Sequence, residues 1–209
     1  FPDEVEEYLE IEIHQHKGHP TTPHGIEVPT DNSLDEEYLA YLRRRVIPGA
    51  NLTGMKLVLD CANGAASQLG PALFRSLGAN VIAIHDQPNG RNINDGCGSL
   101  HPEILQKIVG DAHAVLGVAF DGDADRAMFV SASGRQVDGD GVLFAMARFL
   151  KSVGQLNGNR VIGTTMANLG LERALEAEGL SLVRVPVGGR YVLEVILRGG
   201  ANRGGERAG

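Results

Sequence analysis

Apolar positions recur at helical spacing near the start of the chain and in short runs divided by glycine further on. Residues 3–13 read as the end of a helix, and Asp35 to Val46 as another, with Leu39, Leu42 and Val46 on one side and Pro48-Gly49 as its stop. A boundary near residues 47–54 follows. From Lys56 the pattern changes to alternating strand and helix. Lys56 to Asp60 is a strand, Leu69, Leu73 and Leu77 mark a helix that Gly78 caps, and Val81 to Ile84 is a second strand. This is a β-α-β unit. A Gly/Asn/Asp loop over 86–98 leads to a helix over Pro102 to Val109 and a buried strand over Val115 to Phe120. Strands Ala127 to Ser131 and Gln136 to Val137 flank a hairpin turn at Ser133-Gly134.

The scheme then repeats roughly 105 residues on. Val161 to Thr164 is a strand, Ala167-Asn168-Leu169-Gly170 opens a helix through Leu171 and Leu175, Gly179 caps it, and Leu182 to Val185 is a strand. The expected fold class is α/β, with two similar mixed α/β domains in tandem. Each turn into a helix presents backbone N–H groups that could hold an anion. At Asp60 to Gly64 and Ala167 to Gly170, turn formation alone is the simpler reading.

The strand ending at Phe120 breaks into Asp121-Gly-Asp-Ala-Asp-Arg126. Three carboxylates at alternate positions, spaced by small residues that permit a turn, can face one point. Two carboxylates about 5 Å apart repel by roughly 0.8 kcal/mol even in water, so three need a cation. Oxygen donors suit a hard divalent ion such as Mg2+. Asp121, Asp123 and Asp125 are therefore the candidate metal ligands. Arg126 adds a permanently charged planar fork able to bind phosphoryl or carboxylate oxygens beside the metal. An EF-hand loop starting at Asp121 would need Gly at its sixth position and Glu at its twelfth, where the chain has Arg126 and Ala132. A phosphatase of the haloacid dehalogenase type also places Asp-x-Asp after a strand, but expects Thr or Val where Asp125 stands.

Composition narrows the classes further. The 209 residues are 43% hydrophobic and 22% charged, as in ordinary globular domains, and fibrous or disordered classes do not fit. A net charge of −7, with no basic cluster beyond Arg43-Arg44-Arg45, argues against a nucleic-acid partner. No apolar run approaches the roughly 20 residues of a membrane span, and the first residues do not resemble a signal peptide. Cys61 and Cys97 lie far apart without a Cys-x-x-Cys, so the spacing suggests neither a disulfide framework nor a zinc site. A reducing cytoplasm is the expected location. His14, His16, His19 and His24 gather in a tract broken by prolines, with no carboxylate or cysteine in register for a metal. The start at Phe1 and the stop just after Gly204-Gly205-Glu206 read as the edges of a piece of a longer protein.

Asp121 to Arg126, Asp60-Cys-Ala-Asn-Gly-Ala65 after a strand, and Asn92-Ile-Asn-Asp-Gly-Cys-Gly-Ser99 followed by His101-Pro-Glu103 together resemble the α-D-phosphohexomutase superfamily. Val187 to Glu194 and Gly204 to Glu206 fall in that family's order as well. The Asn92 to Ser99 segment is most like the bacterial branch that acts on glucosamine phosphates. The resemblance implies four domains around one cleft, with residues 1–47 as the tail of the first, 48–138 as the second with its metal loop, and 139–209 as the start of the third with its sugar loop. It implies magnesium-dependent interconversion of glucosamine 6-phosphate and glucosamine 1-phosphate through a phosphoserine and a sugar bisphosphate. Phosphomannomutase or phosphoglucomutase activity of the same superfamily is the alternative, and a standalone Mg-dependent phosphate-binding domain the alternative from another class.

By the same resemblance Arg126 offsets charge on the transferred phosphoryl, Glu206 accepts hydrogen bonds from sugar hydroxyls, and Gly188 and Arg190 belong to a loop facing the sugar. The chain departs from the family in three respects. It has no Thr-Ala-Ser-His-Asn-Pro-like serine loop, Gly189 stands where Asp is usual, and Arg207-Ala208 stand where Gln-Ser is expected.

Overall fold

The computed structural model describes residues 2–17, 31–199, 201 and 203–205. Residues 1–36 and 37–209 form separate units. The first contains α1 (Asp3–His16), which carries the exposed His14 and His16. His19 and His24 lie outside the described residues. The next helix, α2 (Ser33–Tyr41), runs into a π-type turn at Leu42–Val46, where Arg43, Arg44 and Arg45 all face water.

The second unit begins its first layer with β1 (Lys56–Asp60), α3 (Ala66–Ser76), β2 (Asn80–Ile84), α4 (Pro102–Asp111), β3 (Leu116–Phe120), β4 (Ala127–Ser131) and β5 (Gln136–Val137). The sheet order is β2-β1-β3-β4-β5, with β1 parallel to β2 and β3 and the last two strands antiparallel. Side chains alternate across a strand, and β1 shows the consequence. Leu57 and Leu59 join Ala66 and Phe74 on one face, while Val58 joins Leu105 and Val109 on the other. Covered on both faces, the central strands read as unbroken apolar runs rather than alternating ones. Fully burying one such leucine is worth about 1.5–3 kcal/mol. The expected strand start at Val115 is one residue early. That residue is 45% exposed and the ladder begins at Leu116.

The second layer is α5 (Gly139–Ser152), β6 (Arg160–Thr164), α6 (Leu169–Ala177), β7 (Ser181–Val185), α7 (Gly189–Leu197) and β8 (Gly204–Gly205). Its sheet order is β7-β6-β8, all parallel. Helices α5 and α6 cover one face through Leu143, Ala147, Leu150, Leu171 and Leu175, and α7 covers the other through Val192. Helix α5 was not anticipated from the sequence, although Leu143, Ala147 and Leu150 have helical spacing and Asp138 caps it by accepting from the Gly141 N–H at 3.1 Å. The repeat is real: β1-α3-β2 and β6-α6-β7 share direction and order, and in each sheet a third parallel strand, β3 or β8, pairs with the other edge of the central one. Among the described residues no helix is long and apolar enough to cross a membrane.

Candidate functional site

The order β2-β1-β3 makes the chain leave β1 and β3 in opposite directions, and ligands of open α/β sheets bind in the crevice this creates at the strands' C-terminal ends. The Asp121 to Arg126 loop starts there, directly after β3. Carboxylate oxygens of Asp121, Asp123 and Asp125 lie within 4.8 Å of one another. A turn bond from the Ala124 N–H to the Asp121 carbonyl at 3.1 Å, with Ala124 at a positive φ of 61°, folds the loop so that alternate residues converge.

Arg126 clasps Asp121. Its backbone N–H donates to Oδ1 at 3.2 Å, and its Nε and Nη2 both stand 2.8 Å from Oδ2. Burial alone would push the Asp121 carboxyl up, but these bonds from Arg126 outweigh it and hold the group below the ordinary carboxylate value. Asp125 is shifted the other way. Desolvation, then the charges of Asp123 and Asp121, raise it, and Arg126 at 3.4 Å offsets this only in part. A site with too little positive charge for its carboxylates has this signature, and oxygen donors at this spacing fit a hard divalent cation.

The other two sequence motifs form the floor of the loop. The Ala65 N–H donates to the Gly122 carbonyl at 2.8 Å, and a Cβ at Gly64 would fall 2.1 Å from that same oxygen. A Cβ at Gly122 would fall 2.7 Å from Ile93 and from Asn94, and one at Gly98 would fall 2.6 Å from the Phe120 carbonyl. Gly64 and Gly98 are thus required by close main-chain approach, and Gly122 by the side chains of Ile93 and Asn94 packed against it. The turns ahead of both helices use their N–H groups within the protein. The N–H groups of Asn63, Gly64 and Ala65 donate to His85, Cys61 and Gly122 carbonyls, and those of Ala167 and Asn168 to the Thr164 carbonyl and Asp140 Oδ2.

The two layers meet at a cavity of about 300 Å³ lined by Asp125, Arg126, Phe129, Met146, Gly204 and Gly205 among others. Glu206, which follows β8, lies outside the described residues, as do Arg207 and Ala208. Gly188 and Arg190 do not line this cavity. Their expected loop is the start of α7: Gly188 precedes the helix with φ 131°, and Arg190 in its first turn pairs with Glu194 at 3.3 Å. A second cluster was missed altogether. Asp60, His85 and Cys97, from three separate segments, bring ligand atoms within 4.8 Å of one another. His85 carried no local signal beyond following a strand.

The fold and loop define a class: doubly wound α/β layers that present a cluster of three carboxylates at a strand end. Two models of the phosphoglucomutase/phosphomannomutase family match, alpha/beta/alpha domain II over residues 36–134 and alpha/beta/alpha domain III over 138–209, and the chain belongs to this family. It is 50% identical over 209 residues to a protein of Solibacter usitatus named phosphoglucosamine mutase, covering 100% of this chain and 46% of that protein. A phosphoglucosamine mutase of Symbiobacterium thermophilum is 45% identical over 212 residues, covering 100% of this chain and 47% of its own length. A phosphoglucomutase/phosphomannomutase family crystal structure from Burkholderia thailandensis superposes with TM-score 0.71 at 27% identity, over 84% of this chain and 38% of that one. The chain thus spans about half the length of the curated relatives it matches.

Proposed function

We propose that this chain is the central portion of a phosphohexomutase that interconverts glucosamine 6-phosphate and glucosamine 1-phosphate in the cytoplasm. The carrying observation is the carboxylate triad of Asp121, Asp123 and Asp125 at a cavity shared by both layers. The names of the relatives support the choice of sugar. Residues 1–47, 48–138 and 139–209 are read as parts of three successive domains, supported by the separate sheets of the last two.

The three carboxylates would hold Mg2+, whose chemistry is to draw electron density from a phosphoryl oxygen and so favour transfer. Arg126 fixes Asp121 and, half exposed beside the cavity, offers its fork to the oxygens of the transferred group. The sugar would be held from the side of Gly204-Gly205, with Glu206 accepting from its hydroxyls and Gly188 and Arg190 contributing from the third domain. The phosphoserine donor and the bisphosphate intermediate rest on the family resemblance. No serine of this chain sits in the expected loop, so the donor is assigned to another part of the full-length protein.

Phosphorus NMR of the full-length protein with Mg2+, a sugar bisphosphate and glucosamine 6-phosphate should show glucosamine 1-phosphate forming, with turnover lost in Asp123→Ala. Faster turnover of glucose or mannose phosphates would move the assignment to the other branch. Metal and phosphate binding without turnover of any sugar would leave a binding domain and sink the mutase reading. Arg126→Lys should lower turnover more than Mn2+ affinity, because Lys keeps the charge and loses the planar fork.

A further inference from the structure

Beneath the metal loop lies a group of side chains that phosphoryl transfer does not use. Asp60, at the end of β1, is fully buried. Its Oδ1 accepts from the Ala62 N–H and its Oδ2 from the Gly98 N–H, each at 3.0 Å. His85 follows β2, and its Nδ1 stands 3.0 Å from Asp60 Oδ2. That contact is not a hydrogen bond: the buried Nδ1 has no partner along its bonding direction. Cys97 is 1% exposed, and its Sγ accepts from Asn63 Nδ2 at 3.8 Å. A buried carboxylate, a buried imidazole nitrogen 3.0 Å from it and a buried sulfur therefore surround one point.

We propose that Asp60 Oδ2, His85 Nδ1 and Cys97 Sγ form a binding site for a divalent cation of the zinc class, distinct from the oxygen-only site above them. Mixed oxygen, nitrogen and sulfur donors select zinc-like ions over magnesium. The charges balance: one carboxylate and one thiolate offset the double charge of the ion while His85 stays neutral. Binding forms the metal–sulfur bond as the S–H bond breaks, and the proton leaves to solvent. Burial pushes the Cys97 thiol up, so without a cation the sulfur keeps that proton.

The surrounding bonds suit ligands. The N–H groups of Ala62, Gly98 and Asn63 orient the carboxylate and the sulfur from behind, as outer partners of metal ligands do. His85 is held at φ 48°, which a non-glycine residue rarely adopts, by a bond from the Asn63 N–H to its carbonyl. Its side chain is 27% exposed while its Nδ1 is buried, so the ring reaches from solvent to the cluster. The ion would tie the ends of β1 and β2 to the segment that supports Gly122.

Titrating the chelator-treated chain with Co2+ in excess Mg2+ tests the site. We expect a near-ultraviolet thiolate-to-cobalt charge-transfer band saturating at one ion per chain, with one proton released per ion in calorimetry run in two buffers. The band should persist in Asp123→Ala, vanish in Cys97→Ser, and require more than about tenfold higher Co2+ in His85→Gln, whose partly exposed side chain can change without emptying the core. No band in the unmodified chain, a band surviving Cys97→Ser, or unchanged affinity in His85→Gln would each overturn the proposal.

Discussion

At the end of β1 the chain places Asp60, and at the matching end of β6 it places Thr164. Both are buried and both accept from the N–H two residues on, Ala62 at 3.0 Å and Met166 at 3.4 Å. The next N–H groups also match, with Cys61 donating to the Ile84 carbonyl and Thr165 to that of Val185. The backbone plan is therefore shared, and the chemistry is not. The first unit adds a second donor, Gly98, a histidine and a cysteine around its carboxylate, and seats the metal loop on its glycine turn. The second instead caps α6 with Asn168, which accepts from the Leu171 N–H at 2.8 Å. A β-α-β unit needs only a polar strand end and a tight turn. What gathers there depends on the loops that later elements bring.

The strongest way to break this comparison is Gly64→Ala. Its Cβ would meet main-chain atoms of Gly122 that cannot rotate away. A loss of about 3 kcal/mol is expected in urea unfolding, together with loss of Mn2+ binding at the triad. The matching substitution, Asn168→Ala, removes only a helix cap and should cost about 1 kcal/mol, with Mn2+ binding intact. Equal losses in the two variants would mean that the metal loop does not rest on the first turn.

Thr164→Asp places a carboxylate in the second unit with a counterpart of the Ala62 donor in Met166 but without the second donor, Gly98, that Asp60 has. It should cost about 2–3 kcal/mol at neutral pH. Burial raises such a carboxyl, so the penalty should shrink as the pH falls and the group takes up a proton. A loss independent of pH would point to shape rather than charge.

The smallest effect lies within the metal loop. Asp121 is held below the ordinary value of 3.8, so its contribution is fully present above that value and is lost as the pH falls through the lower folded one. Asp125 is raised, so it takes up its proton earlier on acidification and its ionised form weighs against the fold at higher pH. Carboxyl NMR titration should therefore place the Asp125 midpoint above that of Asp121, and Mn2+ affinity should fall as Asp125 protonates. Arg126→Gln should bring the Asp121 midpoint up. The reverse order of midpoints would contradict the described pairing.

Much of this was legible in the residues. Strands β1, β2, β6 and β7 follow from short apolar runs bounded by glycine, and the convergence of Asp121, Asp123 and Asp125 is legible because all three carboxylates lie within five residues. Helix α5 was passed over because its glycine-rich opening masked the spacing of Leu143, Ala147 and Leu150. The family resemblance puts Gly188 and Arg190 in a loop, yet Gly188 at a positive φ serves as the entry to helix α7, which carries Arg190. The Asp60, His85 and Cys97 cluster had no pattern to find. Parallel pairing sets Asp60 opposite Ile84, which brings the following residue, His85, to its side.

By itself the sequence determined the α/β alternation, the internal repeat and the carboxylate triad. Those features are set by neighbours a few residues apart, where periodicity and spacing act directly. Only the tertiary structure decided that Arg126 clasps Asp121, that the glycines of three motifs interlock, that Gly204-Gly205 shares a cavity with Asp125, and that a buried carboxylate meets a histidine and a thiol. Each of these depends on sheet order and on contact between main chains distant in sequence, which local pattern does not encode.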